Sequence, residues 1–311
     1  MSKMNLSVSP HIRSARTTQS IMLDVIIALT PALIASVVLY GFRALLLTLI
    51  SCGFCVLLEF LYEKLLKRPV TVSDLSAVVT GLLVAFNVPV SMPVWMLLVG
   101  DLAAIILAKQ LFGGLGCNFM NPALVGRIVM MFSFTTALTT YTGSAGLVDA
   151  ATSATPLADP ASYGFTELLF GLHGGVIGET CAAALLLGGI YLCVRGVIKP
   201  IIPLVYIGTT VLLTWAFGGV APLRSALAGG LLLGAIYMAT DYVTSPITDK
   251  GKVVFGVFLG LITALIRVFG NYSEGVTFAI ILGNILVPYI NDLTETRPIG
   301  ANPPAKKEAG K

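Results

Sequence analysis

Long apolar runs separated by short polar turns dominate this chain. They predict helices near residues 22–40, 44–62, 74–88, 93–112, 121–138, 176–195, 200–218, 225–240, 253–270 and 274–291. Crossing a bilayer takes about 20 apolar residues, and most of these runs approach that length. Two fall short, 74–88 and 225–240. Polar or Pro-containing stretches border them, Thr71-Val-Ser-Asp74 and Thr240-Asp-Tyr-Val-Thr-Ser-Pro246, so both read as discontinuous helices. The predicted class is an all-α polytopic membrane protein with about ten transmembrane helices. The pattern also looks doubled. Gly81-Leu-Leu-Val-Ala85 resembles Gly230-Leu-Leu-Leu-Gly234, and Leu111-Phe-Gly-Gly114 resembles Val268-Phe-Gly-Asn271. A repeat with an odd number of spans inverts its second copy. The expected organisation is an N-terminal segment 1–20, a five-helix repeat 21–138, a loop 139–175, an inverted five-helix repeat 176–292 and a tail 293–311. Inverted repeats with broken helices place binding sites near the bilayer midplane, where half-helix ends supply dipoles.

Composition sharpens this picture. Of 311 residues, 56% are hydrophobic and only 11% charged, against about a quarter charged in soluble domains. Disordered, collagen-like and disulfide-scaffold classes are excluded. The net charge of +4 is scattered over loops and tails and is no nucleic-acid footprint, so no nucleic-acid partner is expected. The polar first 20 residues lack a short apolar segment with a cleavage site, and no removed signal peptide is expected. The basic residues set the orientation. With the N-terminus inside, 15 of the 19 Lys and Arg fall at cytoplasmic ends, whereas the longest loop, 139–175, holds none. Both termini are therefore expected in the cytoplasm and the long loop outside, in a multi-pass protein of the cell (plasma or inner) membrane. The five cysteines lie in or beside apolar segments. Cys52-Gly-Phe-Cys55 has redox or metal spacing, but on a continuous apolar helix it reads more simply as a pair of small buried thiols.

Three clusters carry candidate chemistry. In Gly113-Gly-Leu-Gly-Cys-Asn-Phe-Met-Asn-Pro-Ala-Leu-Val-Gly-Arg127, Asn121 before Pro122 reads as a helix cap. The helix N-terminus there suits an anion or a carbonyl such as those of a flavin, with Asn118, Asn121 and Arg127 as candidate cofactor contacts. A tight re-entrant turn with satisfied caps explains the same residues. The second cluster is a set of acids in or beside spans: Asp24, Asp74, Asp101, Glu179, Asp241 and Glu274. Each costs at least ~2.5 kcal/mol at the bilayer centre, which makes it a functional candidate. Asp74 can also cap the helix after it, and Arg127 and Arg267 are available counter-ions. The third cluster lies in the outside loop, Asp149-x-x-Thr152-Ser153-Ala154-Thr155 before Pro156. Structurally it reads as a small polar turn with Asp149 in an Asx geometry. It also resembles the flavinylation motif D-x-x-[ST]-[GS]-A-[ST], in which a dedicated flavin transferase joins FMN to the last hydroxyl through a phosphoester. Ser153 stands where glycine is common.

Taken in order along the chain, the motifs resemble one family. They are Ser9-Pro10-His11, Asp74-Leu-Ser-Ala-Val-Val-Thr-Gly81, Asn118-x-x-Asn121-Pro-Ala-Leu, the flavinylation loop, Ile177-Gly-Glu-Thr180, Ala239-Thr-Asp-Tyr-Val-Thr-Ser-Pro246 and Arg267-x-x-Gly-x-Tyr-x-Glu-Gly275. The family is that of the D subunit of the Rnf complex, an ion-translocating ferredoxin:NAD oxidoreductase. It also holds the B subunit of the sodium-pumping NADH:quinone oxidoreductase, whose N-terminal region is longer than the short start here. The resemblance implies a urea-transporter-like fold of ten helices in two inverted five-helix halves. It implies covalent FMN on Thr155, with Asp149, Thr152, Ser153 and Ala154 as its recognition loop, and a possible second, non-covalent flavin between the halves. Implied partners are membrane subunits with an iron–sulfur centre, another FMN-carrying subunit, cytoplasmic ferredoxin and NAD subunits, the flavin transferase and membrane lipid. The chain would relay electrons, coupled to Na+ or H+ movement, as one oxidoreductase subunit without a complete active site of its own. A urea-transporter-like channel or secondary transporter fits the hydropathy equally well but gives the loop 149–155 no task.

Overall fold

The computed structural model describes residues 16–141, 163–218, 221–270 and 275–295, and among these every regular element is helical. Five helices are long and apolar enough to cross a membrane: α1 (Thr18–Tyr40), α2 (Phe42–Leu65), α9 (Ile201–Gly218), α12 (Asp249–Phe269) and α13 (Val276–Thr294). Between them lie shorter elements. These are α3 (Ser76–Phe86), α4 (Val94–Leu102), α5 (Pro122–Ser133), α6 (Thr135–Thr139), α7 (Phe165–Phe170), α8 (Ala182–Val194), α10 (Pro222–Leu227) and α11 (Leu231–Leu233). Two of them continue into wider π-helical segments, α4 into Ala103–Gln110 and α11 into Gly234–Met238. The long helices leave much of their apolar surface outward. Only 28% of the hydrophobic stretch of α1 is buried within the chain, and 44% of that of α13. Leu23, Ile34, Val38, Leu49, Leu61 and Leu204 all point away from the core. A surface of that kind matches acyl chains, so the protein is a multi-pass membrane protein.

Each apolar run of the sequence overlaps helix, but several are interrupted. Run 74–88 is helical only over α3, and run 225–240 breaks at Ala228-Gly229-Gly230, where Gly229 has φ +66°. These are the two segments expected to be discontinuous. Run 121–138 also breaks, at Phe134, between α5 and α6. Run 176–195 departs from expectation, because its helix begins only at Ala182. Residues 173–181 are instead nonhelical and mostly buried, and 177–178 pair their backbone with the end of α3. Ile177 N donates to Val88 O (3.0 Å) and Gly178 N to Phe86 O (2.9 Å). Those bonds replace the helical ones that the segment forgoes. The segment expected to be loop, 139–175, contains α7, whose Leu168 is buried. The two matched glycines of the doubled pattern hold different places, Gly81 inside α3 and Gly230 just before α11.

Lipid supplies no hydrophobic drive between helices, so close packing and interhelical hydrogen bonds must hold them together. The pair α9–α12 shows how. Gly256 and Gly260, four apart, turn one face of α12 against Val205 and Thr209 of α9. A Cβ at Gly260 would fall 2.6 Å from the Thr209 Cβ. One turn further on, the Tyr206 hydroxyl and Thr263 Oγ1 meet at 2.8 Å, both buried. Gly260→Val therefore forces the helices apart and should cost roughly 1–3 kcal/mol, the usual range for overpacking. Gly208→Ala, where a Cβ meets nothing within 4 Å, should be neutral. Thermal unfolding of the two variants in detergent reads the difference; equal melting would deny the close crossing.

Candidate functional site

The polar turn between α4 and α5 shows how one expected site is built. Gly113, Gly114 and Gly116 have φ of +121°, +93° and +90°. A Cβ at Gly116 would meet nothing within 4 Å, so glycine is there for the backbone conformation and not for a close approach. The turn delivers Asn118 and Asn121 to the protein interior. Asn121 caps α5, its Oδ1 accepting from Ala123 N at 3.0 Å, with Pro122 in the first turn. Its Nδ2 donates across to Met238 O in the second half of the chain (3.2 Å). Asn284 of α13, with its amide oriented to suit its neighbours, donates to Thr244 O and accepts from Asn121 N at 3.1 Å. Asn118 Nδ2 reaches Asp241 Oδ2 at 3.5 Å, and Thr244 Oγ1 donates to the same oxygen at 3.1 Å.

These residues face a cavity of about 100 Å³ between the two halves. Thr80, Lys109, Asn118 and Asn121 line it from one side, Thr240 and Asp241 from the other. The amides and carboxyl have the chemistry to meet the polar edge of a flavin ring. The helix N-terminus is also less available to an anion than expected, since Ala123 N is already held by the Asn121 side chain.

Arg127 belongs to a different centre. It lies six residues beyond Asn121 on α5, about 9 Å along the axis, and is buried. Its Nη1 donates to Asn87 Oδ1, and lies 3.3 Å from Glu179 Oε1. Asn87 ends α3 and Glu179 comes from the nonhelical segment, so one guanidinium on α5 ties together two places where the backbone is not helical. The predicted cofactor contacts Asn118 and Asn121 are thus brought together, and Arg127 is not with them. Asp149, Thr152, Ser153, Ala154 and Thr155, like Glu274, lie outside the described residues.

The other intramembrane acids all have polar partners. Asp24 accepts from the Tyr191 hydroxyl (2.8 Å) and pairs with Arg195. Asp74 caps α3 through Ser76 N (2.8 Å). Asp101 meets Ser51 Oγ at 2.7 Å. Arg267 donates to Ser225 O and Ala228 O, both at 3.0 Å, and so satisfies the carbonyls around the break after α10.

Sequence reasoning missed a buried set on α2. Glu59 Oε1 meets Lys109 Nζ and Gln110 Nε2, each at 2.7 Å, and Lys109 Nζ also donates to Ser76 Oγ (2.6 Å). Counted by position, Lys109 is a cytoplasmic-end charge. In the structure it is 2% exposed. The signal was present in Ser51, Cys55, Glu59 and Glu63, polar or small residues four apart on one face of an apolar helix.

A model of the NQR2, RnfD, RnfE family matches residues 5–300. The chain belongs to this family. It is 44% identical to the D subunit of the Na(+)-translocating ferredoxin:NAD(+) oxidoreductase complex of Acetobacterium woodii, over 99% of each chain. It is 40% identical to the D subunit of the proton-translocating ferredoxin:NAD(+) oxidoreductase complex of Clostridium ljungdahlii, over 95% of this chain and 96% of that one. Against the D subunit of the ion-translocating oxidoreductase complex of Actinobacillus succinogenes the identity is 35%, over 95% and 97%.

The Arg127–Glu179 pair yields a direct test. Removing one partner of a buried ion pair strands the other charge and costs about 3–5 kcal/mol, whereas replacing both by apolar residues is often neutral. Arg127→Met should destabilise the detergent-solubilised chain by that amount, and the double variant Arg127→Met/Glu179→Met by clearly less. Additive losses in the denaturation midpoints would show that the two side chains do not act as a pair.

Proposed function

We propose that this chain is the D-type membrane subunit of an Rnf complex, carrying FMN covalently on Thr155 and relaying electrons within an ion-translocating ferredoxin:NAD oxidoreductase. The observation that carries the reading is similarity along the whole chain to D subunits of such complexes, at 44% and 40% identity. The motif Asp149-x-x-Thr152-Ser153-Ala154-Thr155 within the same chain supports the flavin. Thr155 supplies the hydroxyl and Asp149 a carboxylate close by in sequence. When bound, FMN is the electron carrier, and the protein contributes binding and orientation. The chain is one subunit of a translocase, with ferredoxin and NAD handled by cytoplasmic subunits and the membrane partners carrying an iron–sulfur centre and a further FMN.

The excess of basic residues at one set of helix ends, with none in 139–175, supports both termini in the cytoplasm and that loop outside, where a flavin transferase would act. The ten-span arrangement in two inverted five-helix halves, urea-transporter-like, is supported by interrupted helices in both parts of the chain, α3 in the first and α10–α11 in the second. Asn118, Asn121 and Asp241, which line one cavity, are the groups that would meet a second, non-covalent flavin. No electron step is routed through it. A channel or transporter would use the same broken helices and leave the loop motif without a role.

In a host with the flavin transferase, the wild-type chain should fluoresce as a flavoprotein in a denaturing gel. Thr155→Ala should lose the signal while its membrane expression holds, because most single substitutions outside a packed core change stability by only about 0.5 kcal/mol. Thr155→Ser should keep it, and Asp149→Ala should weaken it. Fluorescence persisting in Thr155→Ala would move the flavin to Thr152 or Ser153. Its absence from the wild type would remove the redox reading. For orientation, a cysteine at Ser144 should react with an impermeant thiol reagent from outside; labelling only after membrane disruption would reverse the topology.

A further inference from the structure

Asp101 lies on α4, is 0% exposed and has no basic side chain within ion-pairing distance among the described residues. Its Oδ1 is 2.7 Å from Ser51 Oγ, and Ser51 Oγ is 2.8 Å from the carbonyl oxygen of Gly81. A serine hydroxyl has one proton to donate. The Gly81 carbonyl can only accept, so Ser51 can donate to that oxygen or to the Asp101 carboxyl, but not fully to both. A protonated Asp101 supplies the second proton, so that both short contacts become hydrogen bonds; the Cys55 thiol is a further, weak donor to the carboxyl. Were Asp101 ionised, Ser51 would be left with one proton between two acceptors, both within 2.8 Å. The other carboxyl oxygen, Oδ2, has no hydrogen-bond partner. An orphaned carbonyl oxygen of a neutral acid is tolerable in a dry interior, whereas an orphaned carboxylate oxygen is not.

The surroundings agree. The titratable groups of α2 facing Asp101 are the Cys52 and Cys55 thiols. From α3 comes the Gly81 carbonyl, and from α5 Gly126 and Met130 pack on Gly100 beside it. Arg127 of α5 is turned to Asn87 and Glu179, and Lys109, further along the π-helical segment, is taken by Glu59. A hard cation would demand a shell of several oxygens, and thiols and apolar side chains occupy that space.

The site is connected to a mouth. On α2, Ser51, Cys55, Glu59 and Glu63 follow one another at four-residue steps, each about 6 Å along the axis. All four are buried. Glu59 Oε2 has no hydrogen-bond partner, so this second buried carboxyl also holds an acceptor open. Glu63 and Gln110, which with Glu59 form the outer part of the row, line a vestibule of about 820 Å³ together with Arg68, Thr71 and Asp74. We infer that Asp101 is a buried proton-binding site, protonated at rest, that exchanges its proton with this vestibule along the Cys55–Glu59–Glu63 face of α2. The protonation follows from this chain's own geometry, whichever complex the chain joins.

The test is infrared spectroscopy of the full chain in lipid, wild type against Asp101→Asn. The wild type should show the carbonyl stretch of a protonated carboxylic acid, and Asp101→Asn should lack it. That band should shift on transfer to D₂O. In Glu63→Gln, which keeps the shape and one carbonyl acceptor for Thr71 but cannot carry charge, the shift should slow by about tenfold, equivalent to ~1.4 kcal/mol on the barrier. Identical spectra for wild type and Asp101→Asn would overturn the site, and an unchanged exchange rate in Glu63→Gln would overturn the route. If Asp101→Asn fails to assemble, Ser51→Ala decides. It should move the band to the position of an acid without a hydrogen-bonded partner, and an unmoved band removes the assignment. Loss of the wild-type band on adding Na+ at constant pH would identify a metal-cation site instead of a proton site.

Discussion

Hydrocarbon offers no partner to a polar atom, and the arrangement of this chain follows from that constraint. Where a helix runs unbroken, its backbone satisfies itself, and α1, α2, α9, α12 and α13 need only an apolar exterior and a close-packed interior. Wherever a helix stops inside the protein, its freed donors and acceptors have to be met from elsewhere. Each interruption here has its own answer. The end of α3 is met by the backbone of 177–178, the start of α5 by the Asn121 side chain, and the break after α10 by Arg267 on two carbonyls. The polar residues of the interior are there first because broken helices require them.

That requirement explains why the two halves hold together. One apolar core runs through both halves, and helices cross between them at α1 on α8 and α13 on α5. The polar bridges are more specific. Asn121 reaches Met238 O and the amide of Asn284, Asn118 reaches Asp241, and Arg127 binds Glu179. Each of these joins a residue before position 139 to one after 175. A buried pair such as Arg127–Glu179 adds little net stability over an apolar equivalent, but it fixes register, because any other alignment would strand a charge at a cost of several kcal/mol. The cavity lined by Asn118, Asn121 and Asp241 sits on this seam.

Much of this is legible in the sequence. Runs of apolar residues locate every helix except α7, since burial in lipid leaves no freedom to place polar residues elsewhere. Asn121-Pro122 announces a cap, and Asp74 a second one. The nonhelical stretch before Ala182 is not legible, because Val176, Ile177, Thr180 and Cys181 suit an apolar helix as well as they suit the backbone pairing that wins. Lys109 is misplaced by position alone for a related reason. Counting charges near helix ends assumes that each reaches water. The π-helical segment Ala103–Gln110 widens the turn so that Lys109 and Gln110, adjacent in sequence, both reach Glu59 Oε1. Arg127 shares one motif with Asn118 and Asn121, which suggests one site, yet six residues of helix carry it to another layer of the protein.

The relatives add a last constraint. Two of them, similar in coverage and at 44% and 40% identity to this chain, are named for different ions, sodium in one and protons in the other. A fold and a helix-break pattern shared at that level do not distinguish the two ions. What can differ is the number of oxygens gathered around a few buried carboxyls, because a proton needs one acceptor and a metal cation needs a shell. Asp101, with one serine, one carbonyl and two thiols about it, has the surroundings of the first kind. Asp241, with Asn118, Thr244 and a cavity beside it, is richer in oxygen. The same bundle thus holds one fully buried carboxyl and one half-buried carboxyl beside a cavity. Small changes around either would be enough to alter which ion it favours without altering the helices that carry it.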